Sequence, residues 1–514
     1  MRLLDKAVTR LMVLNRLIVT GIVALLQIAL FCFIFLRFIE VSAFVTIALD
    51  MLSLMFIIWL AGNEEPSSYR ISWIIVIMAL PLMGALLFLL WGEKKASKSL
   101  KDKIDKSVAE IVPLLEKDKQ IEGLFKQDDY RAYTSSRYLR NVTHYPVFNN
   151  TTTKYYSLGE YCFDDMLEEL AKAEHFIFME YFIIEEGEMW GKILEILVKK
   201  AKIGVKIRIM YDDMGCLTTL TWAYRKFLEE MHENIKCVVF NRVNPAVALK
   251  MNNRDHRKIL VIDGKVGFTG GINIADEYIN QKVKYGHWKD TAVRIEGPAV
   301  WGMTCLFLEI WNAFSDEYLN PNMYKFKSFD IQTKGFVQPF GDNPLNKEAV
   351  GQNVYIDMIN QANESIFIMT PYLILDDITR NAIILAAYRG VDVNILTPGI
   401  PDKKPVFRIT RSNYVSLIKV GVKVFEYTEG FLHAKSIVVD QTIGMIGTIN
   451  LDYRSMYINF ECGVYMYNTD AVTDLYADTI DTIAHSTQIS LEDLHLNLWE
   501  KGKNAILRIF APLM

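Results

Sequence analysis

With 514 residues, 51% of them hydrophobic, the chain has material for two or three domains, each with its own core. Its formal net charge of −4 supplies no overall basic field, which argues against a protein that binds nucleic acid by broad phosphate neutralisation. The six cysteines, Cys32, Cys162, Cys216, Cys237, Cys305 and Cys462, show no CxxC or metal-ligand spacing and read as buried small residues in a reducing compartment.

In chain order, the first feature is three apolar stretches at 17–36, 41–61 and 71–91, each about the twenty residues needed to cross a bilayer as a helix. Residues 1–92 are therefore expected to form a membrane-helix region. The first run is too long for a signal peptide and no small-x-small site follows it, so the anchor is expected to stay. Lysines and arginines flank both ends of this region, and three full spans cannot leave both flanks in the cytoplasm. Either one stretch is re-entrant or interfacial, with Asp50 and Pro81 as the weak points, or one flank lies outside. The richer downstream cluster, Lys94 to Lys106, favours a cytoplasmic catalytic part at the cell membrane. Residues 93–130 are charged, with Leu114, Leu115 and Leu124 too sparse for a core helix, and read as a membrane-proximal linker or surface helix.

Beyond 130, helix and strand patterns alternate. CFDDMLEELAKA has helical apolar spacing and is followed by the apolar run HFIFMEYFII; GKILEILVKKAKIGV and KIRIMYD repeat the pair. The second half does the same with VYIDMINQANE, SIFIMTPYLIL, NAIILAAYRGV and DVNILTP. This predicts an α/β fold in two tandem domains, 131–330 and 331–514, with mainly parallel sheets covered by helices on both faces.

Within those halves the pattern His-x-Lys-x-x-x-x-Asp occurs twice, as His256, Lys258 and Asp263 and as His433, Lys435 and Asp440. Each copy ends in a turn carrying an asparagine, Asn273 or Asn450, and every matched pair is 177 residues apart. A fixed register over this many polar positions indicates a duplicated unit. In an extended strand residues two apart share a face, so each histidine projects beside its lysine, whereas Asp263 and Asp440 fall at the turn and are expected to hold it.

An imidazole can attack phosphorus while a second gives and takes the proton of the departing and entering oxygens. Two lysines and two asparagines suit the non-bridging oxygens. A lysine beside each histidine would repel a metal cation, so no metal or other cofactor is expected. Each imidazole needs a partner on its other nitrogen. Asp290 is expected to orient His256, and Glu461 to orient His433. For His287 a place lining the site and a surface place stand equally.

These residues carry a resemblance. The doubled HxKxxxxD motif with G-[GST]-x-N tails resembles the phospholipase D superfamily. Within it, the apolar N-terminal region, GGINIADEY, HWKDTAVRIEGPAV, GTINLDYRSMYINFE and the terminal APLM resemble the bacterial cardiolipin synthases. Thr448 departs from the commoner Ser, and Lys289 from the usual Arg, which would lose bidentate contacts. The resemblance implies two phospholipase D-like αβα sandwich domains forming a pseudo-dimer. It also implies transfer of a phosphatidyl group between two phosphatidylglycerols to give cardiolipin and glycerol. By analogy His256 becomes the phosphohistidine and His433 is acid then base, although the duplicated sequence is symmetric. The same residues would serve a hydrolase that gives the intermediate to water, another lipid alcohol as acceptor, or a membrane-anchored nuclease.

Overall fold

The computed structural model describes residues 43–63, 65–92, 98–242, 253–495 and 497–513, with scattered positions between 18 and 33. The first half contains β1 (Thr152–Tyr156), β2 (Phe176–Tyr181), β3 (Lys206–Asp212), β4 (Ile235–Phe240), β5 (Lys258–Ile262), β6 (Val266–Gly270), β7 (His287–Lys289) and β8 (Ala292–Glu296). The second contains β9 (Phe336–Asp342), β10 (Ser365–Met369), β11 (Asp392–Pro398), β12 (Lys423–Tyr427), β13 (Gly430–Leu432), β14 (Ser436–Val439), β15 (Ile443–Gly447), β16 (Glu461–Tyr467) and β17 (Ser486–Gln488). Seven strands form one sheet in the order β1-β8-β6-β5-β2-β3-β4, and eight form the other, β17-β12-β11-β10-β14-β15-β16-β9.

The sheets correct the expectation of mainly parallel pairing. Within these two sheets only β2-β3-β4 and β10-β11-β12, which the helix–strand alternation marks, pair parallel; all other neighbours in them are antiparallel. Each histidine motif runs through a tight hairpin, and so short a connection joins only antiparallel strands. Asp263 and Gly264 turn β5 into β6 with φ of 53° and 65°, and Asp440 and Gln441 turn β14 into β15 with 46° and 58°. Lys265 N–H and Thr442 N–H close the two turns on Ile262 and Val439.

The motif aspartates fix more than the turn. Asp263 accepts the backbone N–H groups of Glu174, His175 and Phe176, each at 2.8 Å, and Asp440 accepts those of Asn363, Glu364 and Ser365. Each carboxylate thereby secures the crossing from a helix, Gly159–Lys172 or Val350–Gln361, into the first parallel strand of its half. Against the effect of burial, these amides hold the Asp440 carboxyl below its usual range.

The sheets meet directly, β6 and β8 of the first against β15 and β16 of the second, and the helix Val300–Phe314, buried on nearly all sides, packs on the first sheet and on β9 of the second. One apolar core runs through this helix and both inner sheet faces, while separate cores lie under the outer helices of each half. Residues 98–128, read as linker or surface helix, are tied into this body. The helix Lys98–Ile111 buries Ile104 and Ile111 against Val300–Phe314, and Phe125 is fully buried in the second half's outer core. Burying such side chains contributes roughly 1.5–3 kcal/mol each. The stripe Leu100, Ile104, Val108, Ile111 carries this packing, and Leu114 and Leu115 extend it.

At the N-terminus, more than half of stretch 17–36 lies outside the described residues. Stretch 41–61 contains the helix Ala43–Ala61, with Asp50 near its middle. Stretch 71–91 is not one helix: Ser67–Ala79 breaks at Leu80 and Pro81 opens a second helix, Pro81–Leu87. The chain doubles back there, and a Cβ on Gly84 would stand 2.6 Å from the Cα of Ile77. Among the described residues, no helix is long and apolar enough to cross a membrane. The five described cysteines are free and buried.

Replacing Asp263 or Asp440 by Ala leaves three backbone N–H groups without their acceptor. Each variant is expected to lose about 2–4 kcal/mol of unfolding free energy, and Asn, which keeps an acceptor oxygen and tolerates positive φ, less. Chemical denaturation measures this, and unchanged midpoints for both Ala variants would contradict the capping role.

Candidate active site

Each motif histidine sits just before a strand, β5 opening at Lys258 and β14 directly after Lys435, and its backbone pairs with the opposite half. β13 runs parallel to β7, so that His433 N–H donates to Lys289 O at 2.7 Å. Asp255 bridges Phe460 in parallel, so that His256 N–H donates to Phe460 O at 2.9 Å. The residue following each of these carbonyls is an acid, Asp290 or Glu461. The exchange of backbone hydrogen bonds therefore sets each histidine against the acid of the other half.

The orienting pairs are accordingly crossed. His256 Nδ1 lies 2.9 and 3.0 Å from the two carboxylate oxygens of Glu461, and His433 Nδ1 lies 2.6 Å from Asp290 Oδ2. The expectation that Asp290 serves His256 and Glu461 serves His433 is corrected on this geometry: the acids are the right ones, but each acts across the inter-domain seam. With Nδ1–H given to a carboxylate, each ring presents Nε2 as its basic nitrogen.

The lysines complete a buried cluster. Lys258 and Lys435 are each 1% exposed, and each Nζ donates to the carbonyl of its own histidine. Burial lowers Lys258 to about 8 and Lys435 to about 7, against the pull of the nearby acids. Burial and the lysine charges hold His256 well below its ordinary value and His433 at about 4, so both rings are neutral at physiological pH. Burial raises Glu461 to about 7, opposed first by Lys258 and then by hydrogen bonds that include Thr448 and Asn459. Thr448 thus supplies the hydroxyl that the commoner Ser would offer.

The two asparagines differ. Asn273 Oδ1 accepts Ile183 N–H at 3.0 Å and its Nδ2 donates to Tyr278 OH at 2.7 Å, so the amide is anchored in the protein. The Tyr278 ring in turn stands 5.5 Å from that of His433. Ser455 occupies the matching position in the second half, and the buried Asn450 Oδ1 has no partner among the described residues. The walls differ as well: Phe182 meets His256, whereas Tyr278, Trp288 and Phe431 surround His433.

Other residues are structural neighbours. Partly buried His287 joins Tyr427 OH and Asn280 rather than either motif histidine. Lys289 reaches both carboxylate oxygens of Asp478, at 2.7 and 2.9 Å, and Ser157 O, so a lysine at this position still bridges the halves. The sequence reading passed over Arg254, Asp255 and Arg257 beside His256. All are buried, Arg257 pairing with Glu180 and Asp255, where the second copy has Leu432 and Ala434. A charge-rich RDHRK run looks like surface, and only its strand pairing shows otherwise.

A neutral imidazole pair flanked by two ammonium groups suits an anionic phosphodiester. Comparisons with known proteins agree. The family profile described as "Cardiolipin synthase, PLD-like domain" matches residues 166–296 and again 355–482, and one described as "Phospholipase_D-nuclease N-terminal" matches 48–93. This chain belongs to the cardiolipin synthase family of phospholipase D-like proteins. A cardiolipin synthase of Alkalihalophilus pseudofirmus is 35% identical over 440 residues, covering 83% of this chain and 85% of that protein. A cardiolipin synthase of Staphylococcus aureus is 34% identical over 479 residues, covering 90% and 95%. The fold is shared with phosphatidylserine synthase of Haemophilus influenzae Rd KW20, with a TM-score of 0.56 at 15% identity over 74% of this chain and 98% of that one.

Two predictions follow the geometry. Glu461→Gln is expected to reduce turnover on the order of 10³–10⁴-fold and, in histidine-labelled NMR spectra, to move the Nδ1–H signal of His256 and not that of His433; Asp290→Asn should do the converse. Signals moving within the same half would restore the uncrossed pairing. The second concerns charge: the empty site loses positive charge as pH rises through the lysine values of about 7 and 8. Sulfate, whose own charge is constant there, is therefore expected to bind roughly tenfold to a hundredfold more weakly at pH 9 than at pH 7. Calorimetric affinity that is flat over this range would contradict it.

Proposed function

We propose that this chain is a phosphatidyltransferase that makes cardiolipin and glycerol from two molecules of phosphatidylglycerol. The observation that carries the reading is the pair of crossed His–acid contacts with a lysine beside each ring, in a chain whose family relatives are cardiolipin synthases.

In the proposed cycle the second histidine takes up a proton at Nε2 as the anionic phosphodiester binds. Nε2 of the first histidine then attacks phosphorus and the bond to the headgroup glycerol breaks, with the second histidine, as imidazolium, giving that proton to the departing oxygen. A hydroxyl of the second phosphatidylglycerol then gives its proton to that same histidine. Its oxygen attacks phosphorus, and the phosphorus–nitrogen bond breaks. One phosphodiester replaces another, so no nucleotide is consumed. By analogy His256 attacks and His433 carries the proton. Lys258, Lys435 and Asn450 are proposed to hold the non-bridging oxygens, with Asn273 supporting the wall beside His433; Asp263 and Asp440 are proposed to act through the backbone.

The apolar N-terminal region is proposed to hold the catalytic halves at the cell membrane, on its cytoplasmic side, where both lipids are dissolved. Three full crossings are not part of this reading, since the third stretch folds back at Leu80 and Pro81.

Purified protein given phosphatidylglycerol in the presence of EDTA is expected to release cardiolipin and glycerol, with His256→Ala and His433→Ala both inactive. Predominant phosphatidic acid would make the chain a hydrolase, and loss of activity on chelation would contradict the metal-free cycle.

A further inference from the structure

The C-terminal helix Leu498–Phe510 is amphipathic, and the protein covers Leu507 but leaves the part of its apolar surface around Trp499 and Ile506 open. Asn497 and Glu500 form a capping box that defines its start. Leu498, Trp499 and Ile506 are 86%, 82% and 58% exposed, and Trp499 and Ile506, seven residues apart, lie on one face. Large apolar side chains so exposed on one short helix mark an interaction surface.

The surroundings identify the occupant. This helix contacts the helices Lys404–Ile418 and Ser67–Ala79, and Ser72 Oγ donates to Ile509 O. The helix Ser67–Ala79 exposes Ile71 and Met78, and the adjoining helix Ala43–Ala61 exposes Met51, Met55 and Ile58, so the apolar surface continues from one terminus to the other. The exposed Lys501, Lys503 and Arg508 share the C-terminal helix with a single acid, Glu500. An apolar strip edged with cations is complementary to a bilayer of anionic lipid rather than to another apolar protein face.

We propose that the helix Leu498–Phe510 lies in the surface of an anionic phospholipid bilayer, with Leu498, Trp499 and Ile506 among the acyl chains. The proposal rests on the reading that the substrates are membrane lipids and extends it to where the membrane meets the second half. That place adjoins the catalytic machinery. Leu507 and Ala511 pack with Tyr453, Ile374 and Ile409, and Ser68 Oγ lies 2.6 Å from Tyr453 OH, three residues beyond Asn450. The bilayer contact thus fastens onto the tail of the second histidine motif, and lipid reaches the site from the membrane surface.

The test uses the full chain reconstituted in vesicles of phosphatidylserine and phosphatidylcholine, the latter carrying bromine near either the headgroup end or the methyl end of its chains. The difference in tryptophan emission between the wild-type chain and Trp499→Phe isolates Trp499. Quenching of this difference emission, stronger with bromine near the headgroup end, is the expected result. A difference emission untouched by bromine at either depth would overturn the proposal, including the case where it shifts with protein concentration because a second copy covers the helix. In a second arm, Leu498→Asp with Ile506→Asp is expected to lower turnover on phosphatidylglycerol vesicles roughly tenfold, the effect of removing buried apolar contacts. It should leave turnover of dispersed short-chain phosphatidylglycerol unchanged, and equal losses on both substrates would overturn the proposal. The quenching needs no turnover, so it stands or fails separately from cardiolipin synthesis.

Discussion

The site is built on a backbone exchange between the halves. Two short parallel pairings, Gly430–Leu432 with His287–Lys289 and Asp255 with Phe460, place each histidine beside a carbonyl whose next residue is an acid. Neither half carries both members of an orienting pair. Separating the halves would therefore strip each imidazole of its partner and leave Asp290 and Glu461, both fully buried, without the groups that offset their desolvation. Lys289 at the same seam, bound to Asp478 of the other half, adds a charged tie.

Burial then sets the electrostatics. Two lysines, two histidines and two acids share a space nearly closed to water, and desolvation is the largest influence on every shifted group among them. The rings are kept neutral in the empty site, as the nucleophile requires, the second ring takes up its proton as the anion binds, and the lysines are left only marginally protonated. An entering phosphodiester supplies the negative charge that restores them, so binding the anion and charging its ligands are one event. The difference between an anchored Asn273 and an Asn450 with an unpartnered oxygen shows that duplication has not kept the halves equivalent.

Much of this was legible. The helix–strand alternation located the parallel strands, and the two Asp-led turns located the hairpins that carry the motifs. Pro81 marked the place where the third apolar stretch breaks, because a proline disrupts a helix interior yet suits a first turn, and here it opens the second helix. Other features were not legible. The hairpins' antiparallel partners outnumber the parallel pairs the alternation suggested, and the stripe through Ile104 and Ile111 was hidden among charges that face outward on the same helix. The burial of Arg254, Asp255 and Arg257 was not legible either, because it depends on partners such as Glu180 that lie far away in the sequence.

The sequence by itself determined the chemistry: two histidines and two lysines in a constant register, an acid downstream of each pair, and strand parity setting His256 beside Lys258 and His433 beside Lys435. Parity acts over two residues and needs no knowledge of the fold. Which acid meets which histidine was left to the tertiary structure, because residues 171 positions apart in matching places are interchangeable on paper. Only the direct packing of the two sheets through β6, β8, β15 and β16, and the parallel strand exchange beside it, brings Glu461 to His256 and Asp290 to His433.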